Sequence, residues 1–369
     1  MRVYSVIALL LLFAVAAPAA EVRGVWIARD SLGSRARIRS TMEALGRANF
    51  NVAYVNVWSQ GYPLFPSRVF EEETGLLIDP QYEGRDILQE AIEEGKPNGI
   101  TVVPWFEYGF VGVWSGRLRG ESLGPIFDRH PDWLAKNRAG ETKFSIGDGA
   151  YYLWMAHAHP DVQNFLIRLM EEAQGRYDVP GIQFDRARYP TLECGYDETT
   201  RQLYSASHEG QDPPANGQDP AWVRWRADQL NAFLVRMNAR IKAVDWRALV
   251  TNAPVPTPDG YRNFAQDPPG WVKDNSHDFL TPQLYWRDLP TYEAKLKLHI
   301  EQYGQAHRLV PGIAVDLAKP AELVRIIEAT RAVGCPGVVI WYYEDIVKAK
   351  ALELLRDTVF AEKALLPWK

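Results

Sequence analysis

Eight short runs rich in β-branched and aromatic residues alternate with helical patterns along this chain. Such alternation predicts parallel βαβ units, and eight units predict a closed α/β structure, the (β/α)8 TIM barrel, rather than an open sheet. No G-x-G-x-x-G sequence follows the first run, which disfavours a dinucleotide-binding fold. The predicted strands are Arg23–Arg29, Val52–Trp58, Thr101–Glu107, Gly181–Ala187, Leu249–Pro254, Phe279–Trp286, Leu309–Val315 and Gly337–Glu344.

Helix start signals lie between these strands. Each is a Ser, Thr or Asp in a capping position or a Pro at the first turn, followed by apolar residues at helical spacing. The predicted helices begin at Ser34, within Gly84–Glu94, at Pro160, at Asp219–Pro220, at Thr291 as the cap of Tyr292–Tyr303, and at Pro320 before Ala321–Ala332.

Two connections are much longer than the others, one after strand three (Tyr108–His159) and one after strand four (Tyr189–Pro220). Both leave the carboxyl ends of strands, where the active sites of barrel enzymes lie. The first connection is too rich in aromatic residues for a disordered linker. The second contains Ser205–Asp219, whose composition predicts a mobile segment.

The first 20 residues have the pattern of an export signal. Arg2 is followed by the apolar run Val3–Val15 and by Ala17–Ala19, an A-x-A cleavage site. The sequence therefore predicts a signal peptide at residues 1–20, a single barrel domain at residues 21–369, and a periplasmic or extracellular location. The alternative is an uncleaved N-terminal anchor.

The composition and charge of the chain limit the kinds of partner that we expect it to bind. The net charge of −5 comes with both signs interspersed, so no nucleic-acid partner is expected, and no second long apolar stretch predicts an integral membrane segment in the mature chain. The 13 Trp and 17 Tyr residues indicate either an aromatic core or flat surfaces that bind sugar rings. Cys194 and Cys335 fall at opposite ends of the predicted barrel, so no disulfide is expected.

Carboxylates, amides and aromatic residues converge at the predicted strand ends. Cleavage of a glycosidic bond generally needs one protonated carboxyl and one ionised carboxylate, and this set meets that need. We take Asp185 and Glu193 as the predicted catalytic pair, with Glu107 as the third candidate. The predicted substrate-binding residues are Trp58, Trp105, Tyr108, Gln183, Arg186, Asn252, Gln283, Tyr285, Trp286, Trp341 and Glu344.

Each carboxylate also has a structural interpretation. In this interpretation Asp185 pairs with Arg186 or Arg188, and Glu107 holds the long loop through a salt bridge. Glu193 is a surface charge or a cap, and Glu344 caps the last helix together with Asp345. A non-catalytic glycan-binding protein would use the same aromatic cleft, so it is the main alternative to an enzyme.

No cofactor is expected. The pair His157-x-His159 resembles a metal-ligand pair, but it lies at a predicted helix start and the chain has only 7 His residues, so no metal site is predicted. No G-x-S-x-G sequence is present, which leaves a serine-hydrolase site without support.

Many short blocks in one order carry a family resemblance over nearly the whole mature chain. They are Arg23–Trp26, Val57–Trp58, Gly61–Tyr62, Phe65–Ser67, Gly84–Asp86, Pro104–Phe110, His130–Trp133, Trp154–Met155, His159–Val162, Tyr177–Val179, Gly181–Gln183, Glu193, Gly195–Asp197, Trp225–Asp228 and Pro282–Tyr285. The sequence resembles the bacterial glycosyl-hydrolase-like 10 family, barrel proteins that include a divisome glycosidase acting on peptide-free peptidoglycan.

The resemblance implies a glycan hydrolase whose substrate is the peptidoglycan strand stripped of stem peptides. By the family pattern, a cleft is formed by Glu107, Asp185, Glu193, Gln283 and Tyr285. One departure concerns the position after Asp185, where the family pattern has a second acid and this sequence has Arg186. If the second acid were essential, the chain would bind glycan without cleaving it. A hydrolase of another polysaccharide is the remaining alternative.

Overall fold

The computed structural model describes residues 20–368. The predicted signal peptide therefore lies outside the described residues, except for Ala20. Eight parallel strands form the central sheet: β1 (Val22–Ile27), β2 (Val52–Asn56), β3 (Thr101–Phe106), β4 (Gly181–Phe184), β5 (Leu249–Asn252), β6 (Phe279–Leu280), β7 (Gly312–Ala314) and β8 (Gly337–Trp341).

The strands pair in the order β6-β5-β4-β3-β2-β1-β8-β7, all in parallel. Two backbone hydrogen bonds join the open edges of this sheet, from Val310 N to Leu280 O (3.0 Å) and from Gly312 N to Pro282 O (2.9 Å). The sheet therefore curls into a barrel, and the predicted (β/α)8 architecture is confirmed.

The barrel is surrounded by eight helices. They are α1 (Arg35–Arg47), α2 (Ile87–Gly95), α3 (Pro160–Arg176), α4 (Pro220–Val244), α5 (Pro268–Lys273), α6 (Leu289–Tyr303), α7 (Ala321–Ala332) and α8 (Ala351–Asp357). Shorter helices in the loops are Arg68–Thr74, Pro125–Arg129, Glu198–Ser207, Asp259–Phe264 and Tyr343–Lys348. Among residues 20–368, no helix is long and apolar enough to span a bilayer.

Caps start these helices as the sequence indicates, with one exception. The Ser34 side chain accepts a hydrogen bond from Arg37 N, and Asp219 accepts hydrogen bonds from two amides of the first turn of α4. The prediction that Thr291 caps α6 was wrong. Asp288 is the cap, since it accepts a hydrogen bond from Thr291 N at 3.0 Å and lets α6 begin two residues earlier than Thr291.

All eight strands are shorter than predicted, and the differences at β6, β7 and β8 have a local cause. Proline cannot donate to a neighbouring strand, so β6 ends before Pro282 and β7 begins after Pro311. At β8 the chain turns into the helix Tyr343–Lys348, which places Glu344 in a helical first turn rather than on the strand.

Side chains of the strands alternate between two cores. Val22, Trp26, Tyr54 and Trp105 point into the barrel, whereas Val25 and its outward neighbours pack beneath the helices. The Trp26 ring lies 6.1 Å from that of Trp105 and 6.2 Å from that of Tyr54. Many of the aromatic residues are therefore buried in these two cores, most of them in the outer one, as the core interpretation expected.

The two long connections lie over the carboxyl ends of the strands. The first contains an antiparallel sheet of three strands, Val111–Trp114, Phe144–Gly147 and Ala150–Trp154. The second contains the helix Glu198–Ser207 and is tied to α4 by Arg226, which is fully buried. The Arg226 guanidinium donates to the carbonyls of Leu192 (2.6 Å), Cys194 (2.6 Å) and Gly217.

We expect Arg226→Met to lower the free energy of unfolding by about 3 kcal/mol, because three carbonyls, two of them buried, lose a charged donor. Urea denaturation measures the loss, and limited proteolysis should show new cleavage between residues 192 and 217. The control is Arg240→Met on the same helix, where an exposed ion pair with Glu171 predicts a change below about 1 kcal/mol. Equal effects of the two substitutions would contradict the anchoring role.

Candidate active site

Two carboxyl side chains lie at the adjacent ends of β3 and β4. Glu107 follows the last residue of β3, and Asp185 follows the last residue of β4. The strands pair in register at Phe106 and Phe184, and Asp185 N donates to Phe106 O at 3.2 Å. The two carboxyls are therefore neighbours at the face of the barrel where catalytic groups of this fold lie.

Asp185 is buried and accepts hydrogen bonds from three neighbours. Its Oδ2 accepts from Trp105 Nε1 at 3.3 Å and from Gln283 Nε2 at 3.4 Å, and its Oδ1 accepts from Arg186 N at 2.5 Å. Burial raises the pKa of Asp185 to about 6, against the opposing charges of Arg186 and Arg188. The side chain is thus held in one position and titrates close to neutral pH.

The Glu107 side chain is 13% exposed and has two polar partners. Asn56 Nδ2 donates to its Oε2, and Arg186 Nη2 lies 3.3 Å from its Oε1. Burial raises the pKa of Glu107 to about 7. The charge of Arg186 opposes this rise, and the charge of Asp185 adds to it. Both carboxyls therefore titrate closer to neutral pH than free carboxyls do, which suits groups that exchange protons in catalysis.

The backbone around Arg186 brings the two loops together. Arg186 has a left-handed φ of 49°, and Gly109 in the neighbouring loop has a φ of 46°. A Cβ on Gly109 would lie 2.1 Å from the Asp185 carbonyl oxygen, so only glycine allows this approach. The Arg186 guanidinium then lies over the Tyr108 ring at 4.6 Å and the Tyr152 ring at 5.3 Å.

Aromatic rings form the opposite wall. Tyr285 and Trp341 are half-buried and stacked, with ring centroids 5.9 Å apart and 28° between their planes. Both contact Trp26 at the floor. Burial raises the pKa of Tyr285, and the charges of Asp185 and Glu107 add to the rise, so its hydroxyl stays a hydrogen-bond donor.

Of the three predicted amide side chains, one lies in the site and two lie in the barrel core. Gln283 donates to Asp185 and to Ala253 O at 3.1 Å, so it positions the carboxylate. Gln183 is fully buried in the barrel, where it accepts from Trp26 Nε1 at 2.7 Å. Asn252 is also fully buried, and neither polar atom of its amide has a partner among residues 20–368.

Four further predicted site residues lie outside this cluster. Trp58 is fully buried, and its Nε1 donates to Gly109 O at 3.0 Å, so it supports the loop and has no face for a substrate. Trp286 lies beneath Lys295 at 5.0 Å. Glu344 accepts a hydrogen bond from Ser31. Glu193 is exposed in the long loop, and its carboxylate lies beside Gly217 of the same loop.

The structure adds three residues that the predicted set omitted: Asn56, Tyr152 and Arg188. Asn56 ends β2 and could have been found by the same strand-end reasoning that selected Asn252. From the sequence, Arg188 is expected only as an ion-pair partner of Asp185. Tyr152 lies in the inserted sheet, and no local sequence signal places it beside Arg186.

The contacts of His157 and His159 give both side chains a role in the structure of the barrel. His157 stacks on Tyr189 at 4.1 Å, its Nε2 lies 2.8 Å from Arg188 O, and burial lowers its pKa to about 3. His159 is the N-cap of α3. Within residues 20–368, no three His, Cys, Asp or Glu side chains are grouped to hold a metal ion.

A TIM barrel with buried carboxyls at the ends of β3 and β4 is an arrangement of the glycoside-hydrolase kind. The family model "Glycosyl hydrolase-like 10" matches residues 21–317. The chain belongs to this family. The matched region includes Glu107, Asp185 and Gln283 and ends before β8.

Named relatives agree with this membership. The chain is 23% identical over 316 residues to glycosyl hydrolase DigH of Escherichia coli K12, an alignment that covers 72% of this chain and 65% of the relative. It is 24% identical over 301 residues to glycosyl hydrolase YngK of Bacillus subtilis, covering 72% of this chain and 54% of that protein. The chain thus matches only part of the length of each relative.

Solved structures share the fold. The glycoside hydrolase domain of PgaB from Bordetella bronchiseptica superposes with a TM-score of 0.66 at 13% identity, covering 92% of this chain and 98% of that one. The catalytic domain of β-amylase from Paenibacillus polymyxa gives a TM-score of 0.66 at 12% identity, covering 94% and 99%. At these identities the likeness concerns the fold alone.

The raised pKa of Glu107 predicts a pH-dependent stability. Between the ordinary value of 4.5 and about 7, the folded protein keeps a proton that the unfolded chain releases. Stability of the wild type relative to Glu107→Gln should therefore fall as pH rises through this window, by at most about 3 kcal/mol.

Denaturation of both proteins at a series of pH values measures this difference. Glu193→Gln, the same substitution at an exposed position, is the control. A difference between wild type and Glu107→Gln that stays constant from pH 4.5 to 7 would show that Glu107 is not a buried, proton-holding carboxyl.

Proposed function

We propose that this protein is a glycoside hydrolase in which Glu107 and Asp185 are the catalytic carboxyls. The observation that carries the proposal is their placement side by side, buried and with raised pKa values, at the carboxyl ends of β3 and β4. Family membership and the shared fold of solved glycoside hydrolases support it.

The surroundings of the two carboxyls suggest their roles, because three donors favour the ionised form of Asp185 and the charge of Asp185 favours the protonated form of Glu107. Glu107, with the higher pKa of about 7, is the acid that protonates the leaving oxygen. Asp185, with a pKa of about 6, is the ionised partner that attacks the sugar or activates water. Trp105 and Gln283 hold Asp185 in position through its carboxylate oxygens. This assignment replaces Glu193, whose carboxylate is exposed, with Glu107.

We propose peptide-free peptidoglycan strands as the substrate. The support is the resemblance carried by the sequence blocks from Arg23 to Tyr285, together with relatives that are named glycosyl hydrolases. An exported location, proposed from the pattern of residues 1–20, would bring the protein to the cell wall. The stacked rings of Tyr285 and Trp341 offer a flat apolar surface to a sugar ring.

One contact favours the binding-protein alternative. Arg186 stands where the family resemblance leads us to expect a second acid, and it pairs with Glu107 at 3.3 Å. If this ion pair kept Glu107 ionised, the cleft would retain its aromatic wall but lose its proton donor. Turnover separates the two functions, since a binding protein retains glycan without producing new reducing ends.

The purified mature protein should release soluble fragments from peptide-free peptidoglycan, detected as new reducing ends and by mass spectrometry. Glu107→Gln and Asp185→Asn should each lower the rate by about a thousandfold or more, because each removes a group that reacts. Glu193→Gln should retain most of the rate. Loss of activity in Glu193→Gln but not in Glu107→Gln would return Glu193 to the pair. Tight glycan binding without fragments would favour the binding protein.

The pH profile of kcat/KM should be bell-shaped, with its maximum between about 6 and 7. Activity falls on the acidic side as Asp185 becomes protonated and on the alkaline side as Glu107 loses its proton. Because the two carboxyls interact, the two apparent pKa values of the profile describe the pair and not each residue alone. Activity that stays constant up to pH 9 would exclude Glu107 as the acid.

A further inference from the structure

Arg188 is a positively charged residue at the active site without an ion-pair partner among residues 20–368. Within residues 20–368, no hydrogen bond or ion pair joins its guanidinium to another group, although it stacks over the Phe264 ring at 5.1 Å. Against the rise caused by burial, the positive charge of Arg188 lowers the pKa of Asp185. The pKa of Arg188 itself is lowered by burial and by the charge of Arg186 and raised by Tyr285. Arg188 is half-buried, and its guanidinium nitrogens are not among the buried atoms without a partner, so its five N–H donors are within reach of a ligand in the cleft.

The nearest carboxylate does not satisfy Arg188. The Asp185 oxygens already accept hydrogen bonds from Trp105, Gln283 and the backbone of Arg186. Arg186 in turn pairs with Glu107. Burial and the charge of Arg186 lower the pKa of Arg188 to about 10, so it remains a cation at neutral pH. Once Glu107 holds the catalytic proton, two arginines face one ionised carboxylate in this cluster.

The backbone on both sides of Arg188 is fixed by three separate parts of the fold. Gln266 Nε2 donates to Ala187 O at 3.1 Å, and Tyr189 N donates to Phe264 O at 3.0 Å. The buried His157 ring lies 2.8 Å from Arg188 O through its Nε2. The chain is therefore rigid at the residue whose side chain is unpaired, which is the arrangement of a pre-organised binding group.

We propose that Arg188 binds a carboxylate carried by a sugar ring in the cleft, so that the substrate is an acidic glycan. This inference rests on the proposed function, because it requires that a glycan occupies the cleft. Arginine suits the role, since its planar fork matches a carboxylate with two parallel hydrogen bonds. The carboxylate has two chemical sources, the lactyl ether of a muramic acid residue and the C6 carboxylate of a uronic acid.

Binding tests the proposal without turnover when Glu107→Gln is the background. Calorimetry should compare peptide-free peptidoglycan oligosaccharides with the same oligosaccharides after reduction of their carboxyls to alcohols. A second pair, oligosaccharides of alternating uronic acid and hexosamine with and without reduction, covers the other source. We expect one acidic member to bind more tightly than its reduced form, and the pair that shows the difference identifies the source.

Adding Arg188→Met should weaken binding of the acidic form by roughly 10- to 100-fold and leave the reduced form unchanged. Arg188→Lys should fall between, because it keeps the charge but not the planar fork. The control is Arg247→Met, an exposed arginine in the turn before β5, which should change neither affinity. Thermal unfolding of each variant shows whether the loss of stacking on Phe264 disturbs the fold.

Equal binding of acidic and reduced glycans, or equal losses for both in Arg188→Met, would overturn the proposal and leave Arg188 a structural role. Hydrolysis of both forms at equal rates by the wild type would do the same while the hydrolase assignment stands. Carboxylate-dependent binding without hydrolysis by the wild type would sustain the role of Arg188 and reject the hydrolase. The two proposals therefore fail in distinguishable ways.

Discussion

The burial of Glu107 and Asp185 on adjacent strands is the constraint on which the rest of the site depends. Burial raises the pKa of both carboxyls, and the charge of Asp185 adds to the rise at Glu107, so opposing positive charge is needed for both to be ionised. Arg186 supplies that charge to both carboxyls through its guanidinium, which donates to Glu107, while its backbone N–H donates to Asp185. Its left-handed backbone and the glycine at position 109 follow from this need to fit between two strand ends.

The barrel supplies the rigidity that such an arrangement needs. Trp26 and Trp105 fill the interior and form the floor beneath the carboxyls, and Trp341 of the aromatic wall packs against both, with ring centroids about 6 Å apart. Trp105 contributes both to this packing and to the hydrogen bonding of Asp185. The inserted sheet after β3 brings Tyr152 over Arg186, so the insertion completes the site from above.

Much of this could be predicted from the sequence, for a physical reason. In a parallel barrel all carboxyl strand ends meet at one face, so Glu107, Asp185, Gln283, Tyr285 and Trp341 could be grouped by position alone. Trp58 was misplaced because the chain leaves β2 after Asn56 and turns into a short hairpin, which ends the alternation of side chains. The place of Glu193 could not be predicted, since it depends on the path of a long loop that Arg226 fixes from a distant helix. The position of Arg188 could not be predicted either, because His157, Gln266 and Phe264 fix it through contacts between distant segments.

The central claim is that Glu107 and Asp185 together hydrolyse a glycosidic bond. The most direct test is incubation of peptide-free peptidoglycan with the protein in water enriched in oxygen-18, followed by mass spectrometry of the fragments. The account predicts fragments that each carry one oxygen-18 atom at the new reducing end, at a rate that collapses in Glu107→Gln. Fragments without the label, or labelled fragments formed equally fast by Glu107→Gln, would contradict it.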